Sequence, residues 1–260
     1  MTQHNGGPAV TLRGGHQMPL LGIGTWQSED QDAYNSVLHA LQTGYRHIDT
    51  ATGYGNEAEV GKAVADSGVP RADIFITTKL PPDHAGREQQ TIDESLSKLG
   101  TEYVDLWLVH WPPNGGAAPD TWKQFRAIRD NGQAREIGVS NYSTAQLDEL
   151  IDATGEAPAV NQIKWGPSLH DAKRLAEHNE RSIVLEGYSP FKTTDLSHQT
   201  LAEIAAAHGV TPDQVVLRWH LEHGVVVIPK SVTPARIETN FGIFGFTLTD
   251  AEVASLDGLA

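Results

Sequence analysis

The sequence predicts an α/β chain folded as a (β/α)8 TIM barrel with an N-terminal β-hairpin. Eight short apolar runs rich in β-branched residues recur along the 260 residues, and segments with helical spacing lie between them. Strands that are apolar on both faces and separated by helices are typical of a parallel sheet, and eight such units in this length fit a closed barrel. A doubly wound open sheet is the alternative that this pattern leaves open.

The first predicted element is a short hairpin ahead of the barrel. Residues 10–12 and 17–18 are expected to pair, with Gly14 and Gly15 in the turn and Pro19 stopping the second strand. Such a hairpin can cover the bottom of a barrel.

The eight barrel strands are predicted from apolar runs of similar length. They are LLGIGTW (20–26), YRHID (45–49), IFITTK (74–79), VDLWLVH (104–110), REIGVS (135–140), AVNQIKW (159–165), SIVLEGYS (182–189) and VVVIPK (225–230). Helical spacing is clear in 30–44, 87–100, 144–155 and 199–209, and each of these segments closes on glycine. No linker or repeat divides the chain, so we expect one domain over residues 1–260.

The amino-acid composition argues against a disulfide-bonded, nucleic-acid-binding or membrane-spanning protein. The chain has no cysteine, which excludes disulfides and thiolate metal sites and is typical of a cytoplasmic protein. Its formal net charge of -14 argues against nucleic acid or an anionic membrane as a partner. The first ten residues lack a signal-peptide pattern and no run is long enough for a membrane helix, so we expect a soluble, unprocessed chain.

Four titratable residues fall at or just after the ends of neighbouring predicted strands. Asp49, Lys79 and His110 close the second, third and fourth strands, and Tyr54 follows the second between Gly53 and Gly55. Each alone has a structural explanation that is more common, such as a helix cap, a surface ion pair or a core histidine. Because strand ends converge at one face of a barrel, together they predict an acid/base site.

The four groups suit the reduction of a carbonyl. A nearby cation such as Lys79 lowers the pKa of a phenol, and Asp49 can keep a buried lysine charged. His110 can donate a hydrogen bond to the substrate oxygen, where charge develops. The quartet lacks an electron source, and the chain contains no G-x-G-x-x-G sequence for a Rossmann dinucleotide site.

A second candidate site follows the last strand, in IPKSVTPARIETN at 228–240. Thr233 and Pro234 predict a helix start whose free N–H groups attract an anion. Lys230, Ser231 and Arg236 add two cations and a hydroxyl. A solvated helix start or an ordinary barrel phosphate site explains the spacing equally well.

Several segments resemble the aldo-keto reductase family in order and spacing, and the resemblance covers the whole chain. They are GYRHIDTATGYGNEAEVG, TTKL, LVHWP, IGVSN, VNQI, GYSPF and IPKSVTPARIETN. The pattern is most similar to the short bacterial members that are like 2,5-diketo-D-gluconate reductase. The resemblance implies that Tyr54 is the general acid, Lys79 lowers its pKa, Asp49 holds Lys79 and His110 orients the carbonyl.

The resemblance also implies NADPH as cofactor and a small-molecule carbonyl substrate, with the chain acting as a monomer and without a metal. Ser140, Asn141 and Gln162 would hold the nicotinamide carboxamide and Trp165 would stack on the ring. The remaining cofactor residues implied are Gly187, Tyr188, Ser189, Phe191, Lys230, Ser231, Val232, Arg236 and Asn240, the last at the adenine. Trp26 and Trp111 are expected to wall the substrate pocket beside Tyr54 and His110.

The chain departs from the family pattern in a few places. Trp165 stands where tyrosine is more usual and is followed by Gly166 where histidine is usual, while Thr239 replaces a glutamate. The loop at 111–120 is short and the chain stops at SLDGLA with almost no C-terminal tail, so we expect an open pocket.

Two other functions remain open on the sequence. Lys79 or Lys164 would be a Schiff-base nucleophile in a barrel lyase, and a nucleotide-sensing subunit without turnover can use the same barrel. His220 and His223 are three residues apart with no third ligand nearby in sequence, a pattern more typical of surface or core histidines than of a metal site.

Overall fold

A small antiparallel sheet precedes the barrel in the computed structural model, which describes residues 2–4 and 6–259. Its strands are β1 (Thr2–His4), β2 (Gly7–Thr11) and β3 (Gln17–Pro19), in the order β1-β2-β3. The predicted hairpin is the β2/β3 pair, with Val10 opposite Met18. The sequence missed β1, and Pro19 is the last residue of β3 instead of lying beyond it.

Eight parallel strands follow, one in each predicted run. They are β4 (Ile23–Gly24), β5 (His47–Asp49), β6 (Phe75–Leu80), β7 (Val104–Val109), β8 (Ala134–Ser140), β9 (Val160–Lys164), β10 (Val184–Tyr188) and β11 (Val226–Ile228). Each strand pairs with its neighbours in sequence order. Parallel bridges from Leu21 to Val227 and from Gly24 to Lys230 join the two ends of the sheet. The predicted closed barrel is therefore confirmed, and the open sheet is excluded.

Ten α-helices surround the strands in the described part of the chain. They are α1 (Asp30–Thr43), α2 (Glu57–Asp66), α3 (Glu88–Leu99), α4 (Pro119–Asp130), α5 (Thr144–Thr154), α6 (Ala172–Glu180), α7 (Gln199–His208), α8 (Pro212–Glu222), α9 (Pro234–Phe241) and α10 (Asp250–Asp257). Helices α1, α3, α5 and α7 end at the predicted glycines, and all four glycines have positive φ. None of the described helices has the length and apolar character needed to cross a bilayer.

The N-terminal sheet lies at the bottom of the barrel. Glu136, near the start of β8, accepts hydrogen bonds from the Gly14 N–H at 3.3 Å and contacts the His16 Nδ1 atom at 2.8 Å. Because the hairpin turn is held at the N-terminal end of the strands, the opposite end of the barrel is left for the loops that carry function.

Helix α2 packs closely against the end of α3 at one glycine. A Cβ atom built on Gly61 would lie 2.5 Å from the carbonyl oxygen of Leu99 and within 2.7 Å of two more backbone atoms of that residue. Backbone atoms cannot rotate away as a side chain can, so the separation of these two helices depends on the missing side chain.

Gly61→Ala should therefore destabilise the protein, although alanine is favoured over glycine within a helix by about 1 kcal/mol. Forcing α2 away from α3 should lower the free energy of unfolding by about 1–3 kcal/mol, the usual cost of overpacking. Urea denaturation measures the change. The matched control is Gly53→Ala, where no atom lies within 4 Å of the added Cβ and φ is not positive. Equal stability of the two variants would show that α2 can move without cost.

Candidate active site

The four predicted catalytic side chains meet at the C-terminal end of the barrel. Asp49 is the last residue of β5, Lys79 lies near the end of β6 and His110 directly follows β7. Tyr54 ends a 3-10 turn between β5 and α2. All four come from adjacent strands or the loop beside them, so the barrel geometry brings them together.

Lys79 and Asp49 form a buried ion pair. The ammonium Nζ atom lies 2.6 Å from Asp49 Oδ1 and also donates to the Thr50 carbonyl oxygen at 2.8 Å. The side chains are 0% and 3% exposed. Burial acts to lower the pKa of Lys79, but the negative charge of Asp49 and its hydrogen bond outweigh burial and hold the pKa above its ordinary value. Lys79 thus stays a cation inside the barrel.

The phenol of Tyr54 lies beside both the cation and the imidazole. Lys79 Nζ is 5.1 Å from the centroid of its ring, and the His110 ring is 5.6 Å away at an angle of 73°. Burial raises the pKa of Tyr54, and the charge of Lys79 opposes that rise without cancelling it. The expected effect of Lys79 is present, but burial outweighs it, so Tyr54 holds its proton near pH 7.

His110 is a neutral imidazole in this environment. Burial, and then the charge of Lys79, lower its pKa to about 3. A neutral ring donates one N–H and cannot act as an imidazolium acid above that pH. His110 is therefore suited to orient and polarise a carbonyl by a hydrogen bond.

The loop that carries Tyr54 depends on one of its two glycines. Gly55 ends the 3-10 turn in the left-handed conformation with φ 74°, which favours glycine. Gly53 does not have a positive φ, and no atom lies within 4 Å of a Cβ built there. Neither backbone conformation nor lack of space therefore requires a glycine at position 53. Asn56 fixes the loop further by donating to the carbonyls of Thr25 and Ser28 at 2.9 and 2.8 Å.

These side chains face a cavity of about 400 Å³ at the barrel mouth. The predicted substrate residues Trp26, Tyr54, His110 and Trp111 all line it, and both tryptophans are about half exposed. Lys192 also lines the cavity, and its Nζ atom lies 4.7 Å above the Trp26 ring. This contact links the loop after β10 to the loop after β4 and was not predicted.

Four of the predicted cofactor residues form one polar group in the cavity wall. Ser140 Oγ donates to the Gln162 carbonyl oxygen at 2.8 Å, and Asn141 Nδ2 donates to the His110 carbonyl oxygen at 3.0 Å. Tyr188 donates its O–H to Asn141 Oδ1 at 2.9 Å. Ser189 and Phe191 line the same cavity.

The structure corrects the prediction for Trp165. Its side chain is fully buried and packs with Leu201, Val215 and Trp219 between the barrel and its helices. Side chains of a strand alternate between faces, so Trp165 leaves the barrel on the side opposite Gln162. A ring stacked on a ligand in the cavity must come from elsewhere, and Tyr188 is an aromatic residue that lines the cavity beside Asn141.

By the same alternation, Gly187 lies on the face of β10 that points away from the cavity. It lies on β10 between the inward-facing Glu186 and Tyr188, and a Cβ atom there would lie 3.1 Å from Trp165 Cβ and 3.2 Å from His220 Cδ2. Its absent side chain allows these two buried residues to pack, so the predicted contact with a cofactor is not supported by its position.

The predicted anion site lies at the start of α9. Lys230 lines the cavity, and Val232, Thr233 and Arg236 are exposed. Thr233 occupies the N-cap position without a side-chain hydrogen bond to the helix, and its backbone N–H donates to Ser231 Oγ at 3.1 Å. Asn240 is buried in α9 and offers little surface to a ligand.

Glu186 is a site residue that the sequence analysis missed. It is fully buried on β10, and the Gln162 amide nitrogen donates both to Glu186 Oε2 at 2.9 Å and to Asp49 Oδ2 at 2.8 Å. His47 Nε2 lies 3.6 Å from its other oxygen. Burial, and then the charge of Asp49, raise the pKa of Glu186 to about 8. The available signal was a single carboxylate inside the apolar run SIVLEGYS.

The candidates for other functions are placed less favourably. Lys164 is exposed at the end of β9 and is not among the residues that line the cavity. His220 is fully buried, and its Nδ1 atom contacts the Val216 carbonyl oxygen at 2.8 Å within α8. The two histidines of RWHLEHG therefore do not face one another as a ligand pair.

Comparison with known proteins identifies a family. Residues 20–260 match the Aldo/keto reductase family. An aldo-keto reductase of Mycolicibacterium smegmatis is 44% identical over 97% of this chain and 93% of its own length. The glycerol 2-dehydrogenase (NADP(+)) of Saccharomyces cerevisiae is 40% identical over 96% and 91%. The crystal structure of an aldo/keto reductase from Brucella melitensis superposes with a TM-score of 0.93 at 44% identity, covering 97% and 99% of the two chains.

The buried carboxyl of Glu186 predicts a specific pH dependence of stability. Its pKa rises from 4.5 in the unfolded chain to about 8 when folded, so its contribution is complete below pH 4.5 and is lost as the pH rises through 8. Relative to Glu186→Gln, the free energy of unfolding of the unmodified protein should fall by up to about 1.4 kcal/mol per pH unit between pH 5 and 8.

Denaturant titrations of both proteins at several pH values measure this difference. The exposed Glu203→Gln is the matched control for the loss of one carboxylate. If the free energies of unfolding of Glu186→Gln and the unmodified protein differ by the same amount at every pH, Glu186 is ionised in the folded chain.

Proposed function

The chain belongs to the aldo/keto reductase family, and we propose that it reduces aldehydes and ketones to alcohols with NADPH, using Tyr54 as the proton donor. One observation carries the proposal. A protonated phenol and a neutral imidazole face one cavity, with a buried Lys79–Asp49 ion pair directly behind the phenol.

The proposed chemistry assigns one task to each side chain. His110 donates its N–H to the substrate carbonyl oxygen and stabilises the charge that develops there. Tyr54 transfers its phenolic proton to the same oxygen as the C=O bond becomes a C–OH bond. Lys79 stabilises the phenolate that remains, since a cation close to a phenol favours its ionised form.

The donor set of the cavity fits a nicotinamide cofactor, which supplies the hydride when bound. Gln162 supports this fit because its amide N–H groups are both used, by Asp49 and Glu186. Its Oε1 atom makes no hydrogen bond with any residue that the structure describes, so it can accept from a carboxamide NH2 beside Ser140 and Asn141. Because Tyr188 lines the cavity beside Asn141 and Trp165 does not line it, we assign Tyr188 as the aromatic side chain that lies against the nicotinamide ring.

The charges at the far end of the cavity favour NADPH over NADH. Lys230 and Arg236 are exposed cations near the N-terminus of α9, where backbone N–H groups and the helix dipole also attract an anion. A 2′-phosphate is the group that distinguishes the two cofactors, and it would use these charges. One relative carries NADP(+) in its name.

The substrate side of the cavity favours compounds of modest size. Trp26 and Trp111 form apolar walls that remain about half exposed, so only part of a substrate beyond its carbonyl would be buried. Small aldehydes, α-dicarbonyl compounds and sugar-derived ketones fit such a site, with modest discrimination between close analogues.

Tyr54→Phe should abolish carbonyl reduction and leave NADPH binding nearly unchanged, because the variant loses only the proton that is transferred. Steady-state NADPH consumption with an aldehyde and fluorescence titration of NADPH measure the two properties. Tyr103→Phe is the matched control, since that ring lies between Arg71 and Arg135 away from the cavity. Retention of more than a few per cent of the turnover by Tyr54→Phe would rule out its assignment.

Arg236→Ala should weaken NADPH binding and leave NADH binding almost unaffected. A charge-assisted contact contributes about 1.5–3 kcal/mol, so the NADPH dissociation constant should rise about ten- to a hundredfold. The exposed Arg174→Ala serves as control for the loss of one surface charge. If the unmodified protein binds both nucleotides equally, the phosphate is not recognised at the start of α9.

A further inference from the structure

Three potential metal ligands meet on the outer side of the barrel, away from the cavity. His170 follows β9, His223 caps α8 and Asp257 ends α10. One nitrogen or oxygen atom of each lies within 4.8 Å of the others. None of the three lines the cavity at the barrel mouth, so the proposed reductase chemistry does not account for them.

The position of His170 is not explained by hydrogen bonding. Its Nδ1 atom lies 3.8 Å from Asp257 Oδ1, which is too long for a hydrogen bond. That oxygen already accepts from two closer donors, His223 Nε2 at 2.8 Å and Trp219 Nε1 at 2.7 Å. The His170 ring makes no hydrogen bond with any residue that the structure describes, although the His170 side chain is only 11% exposed.

We propose that His170, His223 and Asp257 form a binding site for a divalent transition metal, with Zn²⁺ the preferred ion. Zinc bound to imidazole nitrogen and carboxylate oxygen at about 2.0–2.1 Å in a tetrahedron separates its ligand atoms by about 3.3 Å. The 2.8 and 3.8 Å separations lie on either side of this value. The ligand atoms of His170 and His223 lie within 4.8 Å of each other, so the two imidazoles must move closer together for all three side chains to reach one ion.

The donor types select the class of ion. Two imidazoles and one carboxylate suit Zn²⁺, Co²⁺ or Ni²⁺, whereas Ca²⁺ and Mg²⁺ prefer oxygen ligands alone. Three protein ligands leave the fourth position to water or an external group. The side chains of His223 and Asp257 are 17% and 26% exposed, so an ion can reach them from solvent.

The surroundings already restrain the ligands. The Trp219 indole N–H holds the Asp257 carboxylate, as an outer partner of a metal site does. The same indole packs edge-on against His170 at 5.6 Å and against His223 at 4.7 Å between ring centroids. Binding would then cost little ordering of these side chains and would tie α10 to α8 and to the loop after β9.

The test uses the full-length protein after dialysis against a chelator. Calorimetric titration with ZnCl2 should show one saturable site per chain, and the melting temperature should rise with zinc concentration because only the folded chain assembles the three ligands. Titration with Co²⁺ should produce the visible absorption of a tetrahedral cobalt centre. Carbonyl reduction should be the same with and without zinc.

His170→Ala and Asp257→Asn should each weaken zinc binding by at least about tenfold. Asparagine keeps an oxygen that can accept from Trp219 and His223, so Asp257→Asn tests the ligand charge with the packing preserved. His208→Ala is the matched control, because it removes a comparable histidine–carboxylate pair, between α7 and α10, that has no third ligand. Circular dichroism checks that each variant is folded.

Two results would overturn the proposal. One is the absence of saturable zinc binding to the unmodified, folded protein. The other is zinc binding of equal strength in His170→Ala, Asp257→Asn and His208→Ala, which would place the ion elsewhere on the surface.

Discussion

A lysine with no exposed surface is the constraint around which the barrel mouth is arranged. Removing an ammonium from water costs several kcal/mol even after the protein relaxes, so Lys79 is tolerated only with close partners. Asp49 and the Thr50 carbonyl supply them at 2.6 and 2.8 Å. Both come from the end of β5, beside β6, so the register of these two strands is what makes the cation possible.

A chain of hydrogen bonds links Lys79 to Glu186 through Asp49 and Gln162. Gln162 bridges Asp49 to Glu186, which places two carboxyls and one ammonium in a region closed to water. With Glu186 protonated, the buried charges of Lys79 and Asp49 cancel. With Glu186 ionised, the interior would hold an uncompensated anion. The proton on Glu186 thus follows from the presence of two buried carboxyls beside one cation, Lys79, among the residues that the structure describes.

The sequence predicted the barrel and the four residues of the quartet, because apolar runs and strand-end residues are local features. Each of the eight runs contains a strand. Tyr54 and His110 line the cavity, and Lys79 and Asp49 form the ion pair behind them. The error at Trp165 has a simple cause. The stacking role of Trp165 is implied by the family resemblance alone, whereas the alternation of side chains along a strand places Trp165 with Ile163 on the helix-facing side. The same rule puts Glu186 and Tyr188 inside.

Other features depend on tertiary contacts that no local pattern contains. His220 and His223 are close in sequence, yet they lie on different sides of the end of α8. His220 is buried against β10, and His223 belongs to the cluster with His170 and Asp257. Its companions, His170 and Asp257, are 53 and 34 residues away along the chain. They meet because α10 and the loop after β9 both pack on α8. Ligand spacing in sequence identifies sites built on one element, whereas barrel closure decides which separate elements become neighbours.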